Sequence, residues 1–226
     1  MPRDAPEGHA LGPDPQRVFL IGGGISVGWG VMTHHLALAG ALARALTALT
    51  GRGTDVDARV GLTVGPLDAI AGLKRADLSP YAAVVVTLGT YRAFRLVSLR
   101  VWKRDFARVV AQVTASAPNA VAVFTGMPPL RSTNAANDIV DAVVNVHARR
   151  MNQITENVCR EAGVEFLPLL TSPADKVVAD WNSKAYKAIG ELIAERLAIE
   201  LSHAGSARGV DSELREDSEN GDHLQR

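Results

Sequence analysis

The chain has 226 residues with 24 basic and 24 acidic side chains, so its formal net charge is zero. Its length fits one α/β domain with a substantial core, and its balanced charge lacks the basic excess with which nucleic-acid-binding proteins hold phosphates. The first 16 residues contain no apolar stretch and the chain has a single cysteine, Cys159. We therefore expect a cytoplasmic protein without a signal peptide or a membrane anchor.

The first predicted strand covers residues 17–21 and runs directly into a glycine-rich turn, Gly22–Gly30. A helix is predicted to follow over 33–49, with Thr33 as its N-cap residue. Glycines let backbone N–H groups approach a ligand closely, and the helix points the positive end of its dipole at the same place. The turn is therefore the first candidate binding site.

The rest of the chain alternates short strands rich in β-branched residues with amphipathic helices, which is typical of a parallel sheet covered on both faces. Strands are predicted over 55–60, 82–88, 120–125 and 164–168, and helices over 66–73, 98–115, 138–162 and 183–201. This order predicts a doubly wound, flavodoxin-like α/β/α sandwich with a five-stranded parallel sheet, whose ligands collect at the carboxyl ends of the strands. We expect one domain over 17–203, between a disordered segment (1–16) and a disordered polar tail (204–226).

The glycine-rich turn permits three interpretations. Residues 24–30 match the glycine spacing of short-chain dehydrogenases, but the tyrosine of that family would fall at Asp180, four residues before Lys184. Residues 24–28 also spell the G-x-S-x-G nucleophile elbow around Ser26. In α/β-hydrolases, however, that elbow follows a central strand rather than the first one.

The third interpretation rests on several blocks in order. Residues 22–30 resemble the first block of the SGNH/GDSL hydrolases, Gly-Asp-Ser-Leu-x-x-Gly-x-Gly, and residues 88–92 and 125–130 are similar to the blocks that follow that family's third and fourth strands. Residues 180–186 resemble its last block, so the similarity spans about residues 17–201. The resemblance implies the fold of an esterase or acyl hydrolase.

In that family a serine attacks an ester with the help of a histidine and an aspartate, while two N–H groups and an asparagine hold the oxyanion. Carried over by position, the serine is replaced by Gly24 and the asparagine by Tyr91. The first-block aspartate is replaced by Gly23, the histidine by Asp180 and the last-block aspartate by Val177. The resemblance therefore implies a catalytically degenerate member that keeps a cleft for a small acyl or anionic ligand, or for a partner.

The predicted cleft lies at the carboxyl ends of the strands. The remaining oxyanion donors would be backbone N–H groups around Gly24 and at Gly61 or Gly65. Arg92 would favour a carboxylate or phosphate, unless it is a solvated surface charge. The full predicted lining is Gly23, Gly24, Ile25, Ser26, Gly61, Gly89, Tyr91, Arg92 and Met127.

The alternative is an active esterase in which Ser26, His34 and Asp180 form a displaced catalytic triad. The adjacent histidines His34 and His35 would point about 100° apart on a helix, which disfavours both this triad and a metal site. We expect no metal, no cofactor, and no nucleic-acid or membrane partner, and the oligomeric state stays open. A further alternative is an interaction scaffold without a small ligand. The ring of Trp29, which lies between two glycines, either forms a wall of the pocket or is buried against the sheet, and burial is the expected outcome.

Overall fold

The computed structural model describes residues 1–130, 138–169 and 181–222. They form a sheet of six strands in the order β1-β3-β2-β4-β5-β6, in which β2 to β6 run parallel and β1 pairs antiparallel with β3. Register is set by pairs such as Val18 with Val56 and Val85 with Val123. The strands are β1 (Glu7–Ala10), β2 (Gln16–Gly22), β3 (Thr54–Val60), β4 (Ala83–Thr87), β5 (Val121–Thr125) and β6 (Glu165–Leu167).

Helices cover both faces of the sheet because successive side chains of a strand point to opposite faces. Phe19 and Ile21 of β2 belong to the core with α2, α4 and α5, whereas Val18 and Leu20 belong to the core with α1 and α6. The central strands β2 and β4 are thus buried on both faces, which explains the almost continuous apolar sequences of residues 18–22 and 83–86. The helices are α1 (Leu38–Thr50), α2 (Pro66–Arg75), α3 (Thr90–Phe94), α4 (Leu99–Ser116), α5 (Asp138–Ala162) and α6 (Ser183–Asp222).

The predicted α/β/α sandwich is confirmed, but the sheet has six strands rather than five. The additional strand, β1, lies within residues 1–16, the segment that was expected to be disordered. Four residues are too few to show the alternation of polar and apolar side chains that identifies a strand in a sequence. They become a strand because they pair with the edge of β3 and because Gly8 packs directly on the backbone of α1 at Ala39.

Two helix boundaries also differ from the prediction. The helix predicted from residue 33 begins at Leu38, because residues 33–37 form a separate turn in which the amides of Leu36 and Ala37 bond to the carbonyls of Thr33 and His34. The last helix, predicted to end at residue 201, continues to residue 222 and includes much of the tail that was expected to be disordered. No proline interrupts this stretch, so no residue in it lacks the backbone N–H that a helix requires.

Leucines of α1 provide a test of the packing. Leu46 is fully buried against the sheet and α6, whereas Leu49 on the same helix is 53% exposed. We expect Leu46→Ala to lower the free energy of unfolding by about 2–5 kcal/mol, since it leaves a cavity, and Leu49→Ala to change it by less than about 0.5 kcal/mol. Urea denaturation of both variants measures the difference. Equal losses would contradict the described packing of α1.

Candidate functional site

The glycine-rich turn at the end of β2 lies against the segment that follows β4. Gly24 begins a single 3-10 turn over residues 24–26 and has a φ of +61°, a conformation that side chains other than glycine rarely adopt. A Cβ atom added at Gly24 would overlap the Oγ1 atom of Thr90 and lie 2.8 Å from its Cβ atom. The side chain of Thr90, the first residue of α3, thus occupies the space that a side chain at residue 24 would need.

A cleft of about 650 Å³ opens beside this contact. It is formed where the chain leaves the parallel strands, which is where the sheet topology predicts a ligand. Its described walls carry four aromatic rings and no charged side chain. The lining residues are Gly24, Trp29, Gly30, Leu62, Thr63, Thr90, Tyr91, Phe94, Leu130 and Trp181.

One wall of the cleft is fixed to the start of α6. The Tyr186 hydroxyl donates a hydrogen bond to the carbonyl oxygen of Trp29 at 3.0 Å, and burial raises the pKa of Tyr186, so the phenol stays protonated. Its ring lies 5.7 Å from that of Trp181, centroid to centroid. Gly30 packs directly on the carbonyl group of Trp181. These contacts hold Trp29 in place before any ligand binds.

Ser26 lies in the interior, with 1% of its surface exposed. Its Oγ atom lies 2.6 Å from the Oγ1 atom of Thr87 and donates to the carbonyl of Gly23 at 3.2 Å. This hydroxyl ties the turn to the end of β4 and does not line the cleft. The geometry therefore gives Ser26 a structural role rather than the exposure that a nucleophile requires.

His34 is also buried, but it has a different partner from the one expected. The carboxylate of Asp4 accepts hydrogen bonds from the His34 backbone amide at 2.9 and 3.1 Å and lies 3.0 Å from its Nδ1 atom. Within the described part of the chain, no hydrogen bond joins His34 to Ser26. Asp180 and Val177 lie outside the described residues.

Two backbone amides that were expected to serve as oxyanion donors are already engaged. The amide of Gly61 donates to the carbonyl of Gly22 at 3.1 Å, and the amide of Gly65 donates to the Asp68 carboxylate at 3.0 Å. A donor that is bonded within the protein is not available to a ligand. The loop after β3 instead faces the cleft through Leu62 and Thr63.

The predicted lining is met in part. Gly24 and Tyr91 line the cleft, and Gly23, Ile25 and Met127 line a crevice of about 10 Å³ next to it. The other predicted residues, Ser26, Gly61, Gly89 and Arg92, line neither space.

Arg92 does not bring positive charge to the cleft. Its guanidinium packs against Gly65, and its buried Nε atom has no hydrogen-bond partner among the described residues. The interpretation of Arg92 as an anion-binding residue of the cleft is therefore not favoured by its position.

Several lining residues were missed. Trp29 was expected to be buried, but 38% of its surface is exposed and it forms a wall. Thr90 and Phe94 lie with Tyr91 on α3, a five-residue helix in a stretch that the sequence analysis treats as a loop. The spacing of Tyr91 and Phe94, three residues apart on one helix face, was the available signal. Trp181 lies beyond the last predicted strand and joins the cleft through tertiary packing.

Other reactive groups are unavailable in the described parts of the chain. Cys159 is buried, and this burial, with the nearby Glu165 carboxylate, raises the pKa of its thiol to about 12. A thiol with that pKa stays protonated and is a poor nucleophile. No three His, Cys, Asp or Glu side chains in those parts are placed to hold a metal ion, and no helix there is long and apolar enough to cross a bilayer.

The fold is that of known esterases. Est24, a carbohydrate acetylesterase from Sinorhizobium meliloti, superposes with a TM-score of 0.63 at 13% identity, covering 81% of this chain and 99% of its own. The lipase/acylhydrolase from Enterococcus faecalis gives 0.62 at 11% identity, covering 82% and 96%. The aryl esterase of M. smegmatis gives 0.59 at 14% identity, covering 80% and 97%.

The sequence comparison agrees with the fold. The profile of the GDSL-like lipase/acylhydrolase family matches residues 20–208, and the chain belongs to that family. No curated protein matches the chain by sequence. The family match leaves the short-chain dehydrogenase interpretation without support.

The contact between Gly24 and Thr90 can be tested against a matched glycine. Gly51 at the end of α1 has a φ of +70°, but a Cβ added there would meet no atom within 4 Å. Both Gly24→Ala and Gly51→Ala therefore carry the left-handed strain, about 1–2 kcal/mol, and only Gly24→Ala also displaces Thr90. We expect the larger loss of unfolding free energy for Gly24→Ala.

A double variant gives the control. Thr90→Ala removes the overlapping Oγ1 atom, so Gly24→Ala combined with Thr90→Ala is expected to cost less than the sum of the two single changes in urea denaturation. Strict additivity, or equal losses at Gly24 and Gly51, would show that Thr90 does not fill this space.

Proposed function

We propose that this chain is a ligand-binding member of the GDSL-like family that holds a neutral aryl or acyl compound in its cleft and does not form an acyl-enzyme. The observation that carries the proposal is the Thr90 side chain in the space required by a side chain at residue 24. A side chain at residue 24, where the block resemblance places the family's serine, would therefore have to displace Thr90.

The size of the catalytic deficit supports this reading. Removing the serine or the histidine of a serine hydrolase lowers kcat by a factor on the order of 10⁶, and one lost oxyanion donor lowers it by about 10²–10³. By the block resemblance, Gly24 and Tyr91 take the serine and asparagine positions, and the Gly61 amide is bonded within the protein. Binding is the function that this combination leaves intact.

The walls of the cleft favour a neutral, partly flat ligand. Trp29, Tyr91, Phe94 and Trp181 supply aromatic surface, which stabilises apolar and aromatic groups through burial and ring contacts. The described lining has no charged side chain, so it offers a carboxylate or phosphate no counter-charge in exchange for lost hydration. The volume, about 650 Å³, lies in the usual range for small-molecule sites. Two structural relatives are named as an aryl esterase and a carbohydrate acetylesterase, which supports a small ester as the ligand class.

Parallel binding and turnover measurements test the proposal. We expect the wild-type protein to hydrolyse p-nitrophenyl acetate and p-nitrophenyl butyrate no faster than buffer. We also expect phenyl acetate to quench the fluorescence of Trp29 and Trp181 and to raise the melting temperature. Phe94→Ala should weaken binding about tenfold, since it removes a cleft wall, whereas Leu96→Ala, at an exposed residue outside the cleft, should leave it unchanged.

Each alternative function predicts a different result in these measurements. Ester turnover that disappears in Ser26→Ala would overturn the proposal in favour of the displaced nucleophile. Turnover that disappears in Thr90→Val would assign the reaction to that hydroxyl. If no aryl or acyl compound binds and a protein partner is recovered instead, the chain is an interaction scaffold and the ligand proposal fails.

A further inference from the structure

Thr90 carries a hydroxyl group beside the glycine-rich turn. Thr90 lines both the cleft and the small crevice beside it, and it touches Gly24. From this position we infer that Thr90 is the specificity-determining residue of the cleft. It accepts or donates the hydrogen bond that selects a ligand with a neutral polar group, such as an ester or ketone carbonyl, joined to a flat apolar body. This inference rests on the proposed function.

Neighbouring threonines show why this hydroxyl is different. Thr87 bonds to Ser26 through its Oγ1 atom at 2.6 Å, and Thr125 donates to the carbonyl of Val86 at 3.4 Å. Both are buried and satisfied within the protein. Among the residues that the structure describes, none bonds to the Thr90 hydroxyl, and Thr90 is half-buried and lines the cleft. Within those residues the hydroxyl therefore has a hydrogen bond to offer to water or to a ligand.

The hydrogen-bonding requirement of the Thr90 hydroxyl favours some ligands over others. A ligand that displaces water from Thr90 without replacing its hydrogen bond leaves the hydroxyl desolvated and unpaired, which is unfavourable. A carbonyl oxygen at this position restores the bond, while the aromatic walls formed by Trp29, Phe94 and Trp181 hold the rest of the ligand. The cleft should therefore discriminate between compounds of equal shape that differ only in this oxygen.

The same surroundings make Thr90 a binding group rather than a nucleophile. A threonine hydroxyl attacks an ester only when a neighbouring base takes its proton. No histidine, carboxylate or lysine lines the cleft in the described ranges. His34, the buried histidine nearest in sequence to the turn, is held by Asp4 instead. Recognition of the carbonyl is the role that this environment supports.

Two compounds of matched shape provide the test. Acetophenone carries a ketone that cannot be hydrolysed, and isopropylbenzene replaces its carbonyl oxygen with a methyl group. Fluorescence quenching gives the Kd of each compound for the wild-type protein and for Thr90→Val, Thr90→Ser and Thr114→Val. We expect the wild-type protein and Thr90→Ser to prefer acetophenone. Thr90→Val should reduce that preference about five- to tenfold, the range of one neutral hydrogen bond.

The control is a threonine outside the cleft. Thr114 on α4 donates its hydroxyl to the carbonyl of Val110 at 3.1 Å, so Thr114→Val should keep the wild-type preference, and melting temperatures establish that each variant is folded. A preference unchanged in Thr90→Val would overturn the inference while the binding function stands. If neither compound binds the wild-type protein, both the inference and the proposed function fail.

Discussion

The turn after β2 makes a close contact with the end of β4, and the rest of the site is arranged around that contact. The amide of Gly23 donates to the carbonyl of Thr87 at 2.8 Å, and the hydroxyls of Ser26 and Thr87 lie 2.6 Å apart. Three residues further on, Thr90 meets Gly24. A close approach of this kind requires small residues in the turn, because any Cβ atom on the facing side would separate the two segments. The glycines therefore set how α3 is placed, and α3 sets the shape of the cleft.

The sequence predicted the architecture well where the signal was local and repeated. Five apolar strands and most helices were found, and α5 has the predicted bounds of 138–162. The helix α3 was missed because five residues show barely more than one helical turn, and β1 was missed because its pairing with β3 is a tertiary contact. A segment without a period of its own becomes regular only when its neighbours supply the missing hydrogen bonds.

The site was predictable in position but not in composition. Block resemblance placed Gly24 and Tyr91 at the cleft, since both lie at the ends of parallel strands. It could not reveal that Thr90 fills the space beside Gly24, because that relation joins two loops separated by more than sixty residues of chain. Nor could it reveal that the Gly61 and Gly65 amides find partners within the protein. Of the two interpretations of Trp29, the structure shows the pocket wall rather than the expected burial, and the Trp29 carbonyl accepts a hydrogen bond from Tyr186.

The amino-terminal segment acts on the cleft from a distance. Pro2 packs against Gly28, and Asp4 holds His34, so the stretch between these points, which includes Trp29 and Gly30, is fastened on both sides. The same segment then continues into β1. The segment that forms β1 is therefore connected by direct contacts with the part of the chain that forms a cleft wall.

The antiparallel strand β1 also changes the border of the sheet. Without it, the seven residues of β3 would present a row of unpaired amides and carbonyls, which is a template for pairing between chains. With it, the outermost strand has four residues, including the charged Glu7 and the titratable His9, whose Nδ1 atom lies 2.7 Å from the Asp55 carboxylate. At the opposite border, β6 has three residues. Both edges of the sheet are therefore short, which disfavours intermolecular strand addition and aggregation through the backbone.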